Sequence, residues 1–218
     1  MRLNILIGGK AGQGINKISE IISNILSKQG YFTFNYRNYP SLIRGGHNFN
    51  ILSISDKQIA SHESKLDGII TMDENTIPLH KSELKPTAFQ IPPQGFEDLG
   101  INLNVALAGA LTKLLGVDKQ ILLEEIQTNL KNQESVKAAE KGYNSQKNQI
   151  ISLKKLNNKI SILSGSKAVS IGAINSNINL YIAYPMTPAT GVLHELASHA
   201  AASPNFKIFQ PESEIAAI

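Results

Sequence analysis

The chain has 218 residues, 42% of them hydrophobic and 17% charged, with a net charge of +4; this suits one large domain, or one domain plus part of another, and excludes a disordered polymer. No block of like charge is interleaved with aromatics, which argues against a nucleic-acid partner, and with no cysteine neither a disulfide nor a cysteine-ligated iron–sulfur cluster can form on this chain. The first apolar run, Ile5-Leu6-Ile7, is broken at once by Gly8 and Gly9, too short for a signal core or a membrane span, so a cytoplasmic protein is expected.

Leu3 to Ile7 reads as a buried strand, and Gly8-Gly9-Lys10-Ala11-Gly12-Gln13-Gly14 as the turn after it. Ile15, Ile18, Ile21, Ile22, Ile25 and Leu26 recur at helical spacing up to a stop at Gly30, and Tyr31 to Tyr36 is rich in strand formers. Strand, turn, helix and strand in that order predict a parallel sheet. Phe49 to Ile54 alternates and predicts a half-exposed strand, whereas Gly68 to Met72 predicts a buried one. A helix from Asp73 is expected to break at Pro78, followed by a short strand over Ala88 to Ile91.

The period then becomes helical. Leu103, Leu107, Leu111, Leu114 and Leu115 form one stripe ending at Gly116; Asp118 is a candidate cap for the next helix, and a third covers Glu134 to Lys141 and ends at Gly142. Residues 144–159 are polar and read as a linker between a unit of residues 1–143 and a second unit of residues 160–218. In the second unit the pattern gives a helix over Lys167 to Ile174, a strand over Asn179 to Tyr184, a helix over Thr190 to Ala202 and a strand over Lys207 to Gln210. Two strands are too few for a complete sheet, so this unit is expected to be incomplete and loosely held, or docked on another chain.

Three stretches carry chemistry. The turn at Gly12, Gln13 and Gly14 precedes a helix, where backbone amides can approach an anion. Its spacing is Gly-x-x-Gly-x-Gly, which fits neither the dinucleotide fingerprint nor a P-loop, so a nucleotide site stands beside a plain tight turn as the two readings. In Tyr39-Pro40-Ser41-Leu42-Ile43-Arg44-Gly45-Gly46-His47-Asn48 the guanidinium of Arg44, beside Gly45 and Gly46, suits a carboxylate or phosphate; a solvated surface turn is the alternative. Last, Tyr184-Pro185-Met186-Thr187-Pro188 and Glu212-Ser213-Glu214 each follow a strand, which sets a hydroxyl and an acid at one sheet edge, where open α/β folds bind ligands. Thr187 can equally be a helix cap, and Glu212 and Glu214 first-turn acids. His194 and His199 are five apart, a poor spacing for chelation on a helix.

Together the Gly8–Gly14 turn and the Tyr39–Asn48 stretch resemble the gamma domain of the 2-oxoacid:ferredoxin oxidoreductases, over residues 1–143. Tyr-Pro-Met-Thr-Pro with the later Glu214 resembles the pyrimidine-binding domain of the same enzymes, and the order is that of their fused alpha subunits. The resemblance implies a Rossmann-like α/β gamma domain with a helical tail, then an α/β pyrimidine-binding domain cut short at Ile218. It also implies coenzyme A-dependent oxidative decarboxylation of a 2-oxoacid of the 2-oxoglutarate or pyruvate type, with electrons passed to ferredoxin.

By the same resemblance Tyr184, Pro185, Thr187 and Glu214 line the thiamine diphosphate site, Glu214 being the acid that hydrogen-bonds the pyrimidine. The cofactor is then shared with a beta subunit that carries the diphosphate-binding domain, Mg²⁺ and the iron–sulfur cluster. The isolated chain is expected to be inactive. The family usually has Ser-Gly-Asn-Glu-Ala where this chain reads Ser164-Gly165-Ser166-Lys167-Ala168, a reversal of charge. Two other classes stand beside this one: a non-catalytic gamma-type assembly module, and a stand-alone nucleotide binder.

Overall fold

The computed structural model describes residues 1–39 and 46–218. The chain divides into two compact units, Met1–Ile162 and Leu163–Ile218.

The first unit is built on a five-stranded sheet: β1 (Arg2–Lys10), β2 (Phe32–Asn38), β3 (His47–Ser55), β4 (Leu66–Thr71) and β5 (Leu84–Ile91), in the order β2-β3-β1-β4-β5. β1, β4 and β5 run parallel, but β3 lies antiparallel between β1 and β2. The sheet is therefore mixed, not parallel throughout. The strand-turn-helix-strand order does put β1 and β2 in the same direction, but β3 separates them. That position also corrects the reading of β3 as half-exposed: with a neighbour on each side, six successive residues from Asn50 to Ser55 are buried. Its polar residues are satisfied within the core. Ser53 hydrogen-bonds Asn4, and the Asn50 amide donates to Asn16 and Ser19.

Helix α1 (Ile15–Lys28) lays its isoleucine face on one side of the sheet, where Ile18, Ile22 and Leu26 meet Ile5 and Ile7. α3 (Leu103–Leu114), α4 (Lys119–Leu130) and α5 (Gln133–Ser145) complete that side. Asp118 caps α4 through the Gln120 amide at 2.7 Å, as its position predicts. A short helix α2 (Thr76–His80) starts three residues later than expected. Asp73 closes the turn before it by accepting from the amide and hydroxyl of Thr76, and Pro78 sits in the first turn, where a missing N–H costs little.

Gly142 does not end α5. The helix passes through it, because Gly142 lies against the Ala106 carbonyl of α3 while Gly109 of α3 lies against the Ala139 carbonyl of α5. The two glycines let the backbones touch.

Residues 146–164, which include most of the expected linker 144–159, form neither helix nor strand, yet much of the stretch is held firmly. The amides of Ile150 and Ile151 donate to the Leu114 carbonyl, Leu153 to Leu115 and Leu156 to Gln29, and the Asn158 side chain donates to Gly30. Residues 150–158 are thus a strap that satisfies the free carbonyls at the C-terminal ends of α1 and α3. Leu153 is buried under it, and the Tyr31 hydroxyl donates to the Lys154 carbonyl at 2.9 Å. Leu153→Asp should peel the strap off and lower the stability of the first unit by about 2 kcal/mol, the transfer free energy of one leucine side chain. Urea unfolding checks this, with Asn157→Asp on the exposed side of the strap expected to be neutral.

The second unit contains α6 (Gly165–Asn175), β6 (Leu180–Ile182), α7 (Thr187–Ala200) and β7 (Lys207–Phe209). β6 and β7 are parallel, with Leu180 opposite Lys207 and Ile182 opposite Phe209. Leu193, Leu196 and Phe206 are buried, whereas Leu180, Ile182 and Phe209, which alternate onto one face of the pair, stay exposed. Among the described residues no helix is long and apolar enough to cross a membrane.

Candidate functional site

In the second unit the two motif stretches leave the same edge. β6 ends at Ile182 and leads into Tyr184-Pro185, and β7 ends at Phe209 and leads through Pro211 into Glu212-Ser213-Glu214. The Ala183 amide donates to the Phe209 carbonyl at 3.2 Å, which extends the pairing by one step and keeps the two exits side by side. Both follow the C-terminal ends of parallel strands, the edge at which such sheets bind ligands.

Thr187 is the first residue of α7 and caps nothing. The cap position is Met186, with no side-chain hydrogen bond, and it is Thr190 whose hydroxyl returns to the Met186 carbonyl. Glu214 precedes a short 3-10 turn over Ile215–Ala217, but Ser213 is the residue whose side chain accepts from the Ala216 amide. The Glu214 carboxylate is exposed and, among the described residues, has no hydrogen bond or ion pair. Thr187 and Glu214 are thus both exposed and uncommitted to folding. Tyr184 and Pro185 are half-buried beside them. His194 is exposed on α7, and His199 bonds the Ser203 hydroxyl at 3.2 Å, an ordinary local contact. Ser164 caps α6 by accepting from the Lys167 amide, and the Lys167 side chain is exposed.

In the first unit the Gly-rich turn is a built structure. Gly12 and Gly14 have φ of 96° and 85°, a region that favours glycine. Gln13 closes the turn from inside: its side-chain oxygen accepts from the Lys10 amide at 2.6 Å and its nitrogen donates to the Met72 carbonyl at 3.1 Å. Gln13 therefore has a structural task that its position in the motif does not reveal. Gly14 is the cap of α1, without a side-chain cap; the Lys17 and Ile18 amides donate to its carbonyl, which leaves the Ile15 and Asn16 amides without intrahelical partners.

The described ends of the second motif, Tyr39 and Gly46 to Asn48, come to the same edge. The Ala11 amide donates to the Gly46 carbonyl at 2.8 Å, and a cleft of about 270 Å³ is lined by Gly12, Gly14, Asn16, Tyr39, Asn48 and Asn50. Arg44 and Gly45 lie outside the described residues. No group of three or more metal-ligating side chains occurs among those described.

Sequence reasoning left out Asn50, which lines this cleft. Nothing in its local pattern marks it, since it acquires its partners Asn16 and Ser19 only when β3 and α1 come together.

The geometry defines a class: a mixed α/β unit with a glycine-rich turn at one sheet edge, followed by a second α/β unit presenting a hydroxyl and a carboxylate at adjacent strand ends. Comparison with known proteins agrees. The family model described as pyruvate ferredoxin/flavodoxin oxidoreductase matches residues 4–94. The model for the thiamine diphosphate-binding region of pyruvate flavodoxin/ferredoxin oxidoreductase matches residues 171–218. A 2-oxoacid:ferredoxin oxidoreductase alpha subunit from a Sulfolobus species is 38% identical over 85 residues, which are 39% of this chain and 13% of that protein. The subunit alpha of 2-oxoacid:ferredoxin oxidoreductase 1 from Sulfurisphaera tokodaii is 36% identical over 85 residues, 39% of this chain and 14% of that one. The matched lengths are a small part of these relatives.

A solved 2-oxoglutarate:ferredoxin oxidoreductase from Magnetococcus marinus, with 2-oxoglutarate, coenzyme A and succinyl-CoA bound, superposes with a TM-score of 0.83. The identity is 20%, and the match covers 99% of this chain and 44% of that one. The gamma subunit of a keto/oxoacid ferredoxin oxidoreductase from Geobacter sulfurreducens gives a TM-score of 0.55 at 19% identity, over 66% of this chain and 95% of its own. The chain belongs to the 2-oxoacid:ferredoxin oxidoreductase family.

Proposed function

We propose that this chain serves as the alpha-type component of a 2-oxoacid:ferredoxin oxidoreductase, with residues 1–143 as its gamma domain and 160–218 within its pyrimidine-binding domain. The observation that carries this reading is the pair of parallel strand ends, in the stretch matched by the thiamine diphosphate-binding model, that bear an uncommitted hydroxyl and an uncommitted carboxylate. Such a donor set fits a pyrimidine ring, whose nitrogens need one acid to hold a proton and one hydroxyl to fix orientation.

In this reading Glu214 holds a proton at a ring nitrogen, Thr187 orients the ring or the substrate, and Tyr184 and Pro185 wall the site from water. Thiamine diphosphate, when bound, supplies the electron sink for decarboxylating a 2-oxoacid. Mg²⁺, the iron–sulfur cluster and the diphosphate half of the site belong to a beta subunit; the lack of any cysteine here supports this division. Coenzyme A is the co-substrate and ferredoxin the acceptor. In the first unit Gly12, Gln13 and Gly14, and in the later sequence motif Arg44, Gly45 and Gly46, are the residues we assign to an anionic group or to the partner subunit. The match of the first unit to a solved gamma subunit favours a second reading, a non-catalytic assembly module.

The two readings part on one experiment. Co-expressed with a beta subunit, the chain should give 2-oxoacid- and coenzyme A-dependent reduction of a viologen dye, and alone it should give none. Deletion of residues 163–218 should abolish turnover; an assembled complex that keeps full turnover without them would favour the module. Robust reduction by the isolated chain would overturn both.

A further inference from the structure

His47 opens β3, directly after Gly46, and its ring meets that of His80 at the end of α2. The two Nε2 atoms are 3.0 Å apart. Glu83, on the 3-10 turn after α2, stands 3.2 Å from His80 Nδ1. Phe49 walls the pair, with its ring edge-on to His80 at 4.5 Å between centroids and roughly stacked with His47 at 5.9 Å. His80 is only 5% exposed. The remaining ring nitrogen, His47 Nδ1, and the Asp73 Oδ2 atom are both buried and without a hydrogen-bond partner among the described residues.

Two ring nitrogens at this distance share one proton, since one must donate and the other accept. A second proton on that axis leaves two N–H donors facing each other across 3.0 Å, with one ring cationic beside the Phe49 ring. We propose that the His47–His80 pair is a proton-operated latch: with one proton between the rings it holds the start of β3 to α2, and a second proton releases it. What it secures is the Gly46–Asn50 edge of the cleft, where Gly46 also accepts from Ala11.

The charges around the pair set its direction. Lys10 stands opposite His47 on β1, Arg37 on β2 stands opposite Asn50, Asp73 follows β4 and Glu83 follows α2. Burial lowers the His47 pKa from its ordinary 6.5, His80 lowers it further, and Asp73 opposes both. A histidine so lowered binds fewer protons folded than unfolded. Its neutral form therefore contributes fully above the unfolded value, and that contribution is lost as pH falls below it.

Amide hydrogen exchange on the full chain, corrected for intrinsic rates, tests this without any cofactor. Between pH 7.5 and 5.0 the protection of residues 47–50 and 76–83 should fall at least about ten-fold, while Ile5–Ile7 and Ile69–Ile70 hold theirs. In His80→Gln, whose amide offers both a donor and an acceptor but does not titrate, the acid-dependent loss should shrink, leaving only what the burial of His47 contributes. His47→Gln, at the half-buried partner, should behave alike and decides the matter if His80→Gln does not fold. Equal protection at both pH values in the unaltered chain, or variants that both keep the acid-dependent loss undiminished, would overturn the latch.

Discussion

Glu214→Gln in the assembled complex should retain the fold and most cofactor affinity while turnover falls by about 10²–10⁴-fold, the range for loss of a positioned acid or base. The fold should survive because the Glu214 side chain is exposed and Ser213, not Glu214, caps the turn that follows. Binding should survive because an amide still hydrogen-bonds a ring nitrogen. What the amide lacks is a transferable proton. Thr187→Val should act more mildly, costing about 1–3 kcal/mol for the one hydrogen bond that its hydroxyl gives to a buried ligand group. Proton exchange at the reactive thiazolium carbon of bound thiamine diphosphate, followed by NMR, separates chemistry from assembly. Exchange as fast in the Gln variant as in the unaltered complex would remove Glu214 from this role and make Glu212 the acid to test.

The largest structural effect is expected at the crossing of α3 and α5. A side chain at Gly142 would run into the Ala106 carbonyl, and one at Gly109 into the Ala139 carbonyl. These neighbours are backbone, so no rotamer change relieves the overlap and the helices must part. In an open helix Gly→Ala gains about 1 kcal/mol of propensity, but overpacking a close crossing costs about 1–3 kcal/mol and more when the backbone must move. The second effect wins at Gly142. Gly142→Val should lower the stability of the first unit by about 3 kcal/mol or more, read from the midpoint of urea unfolding. Gly172→Ala in α6, where an added Cβ meets nothing within 4 Å, is the contrast and should be neutral or stabilising. A Gly142→Val chain as stable as the original would show that the helices do not touch through these glycines.

Much of this was legible in the residues, because the signals were local. The isoleucine period of α1, the Asp118 cap and the uniform apolar run of β1 each depend on neighbours a few residues away. The misreadings share the opposite property. β3 looks half-exposed because Asn50 and Ser53 alternate with apolar residues, and only partners 31–49 residues distant in sequence make those polar groups welcome in the core. Gly142 reads as a stop because glycine usually ends a helix, whereas here its lack of a side chain serves a contact with α3. The strap reads as a linker because its composition is polar, and its bonds go to helix ends that no local pattern connects to it.

At the ligand edge, the order of strand, motif, strand and acid was enough to bring Thr187 and Glu214 to one side of the β6–β7 pair. The roles of Gln13 as the inner brace of its turn, and of His80 as the partner of His47, were not legible. Both depend on contacts across the sheet edge.

The most direct measurement is a structure of the chain in complex with its beta subunit and thiamine diphosphate. The pyrimidine ring should lie at the C-terminal edge of β6 and β7, with a ring nitrogen within hydrogen-bond distance, about 2.6–3.2 Å, of the Glu214 carboxylate and with Thr187 lining the same pocket. A cofactor bound wholly by the partner, with Thr187 and Glu214 facing solvent, would contradict it.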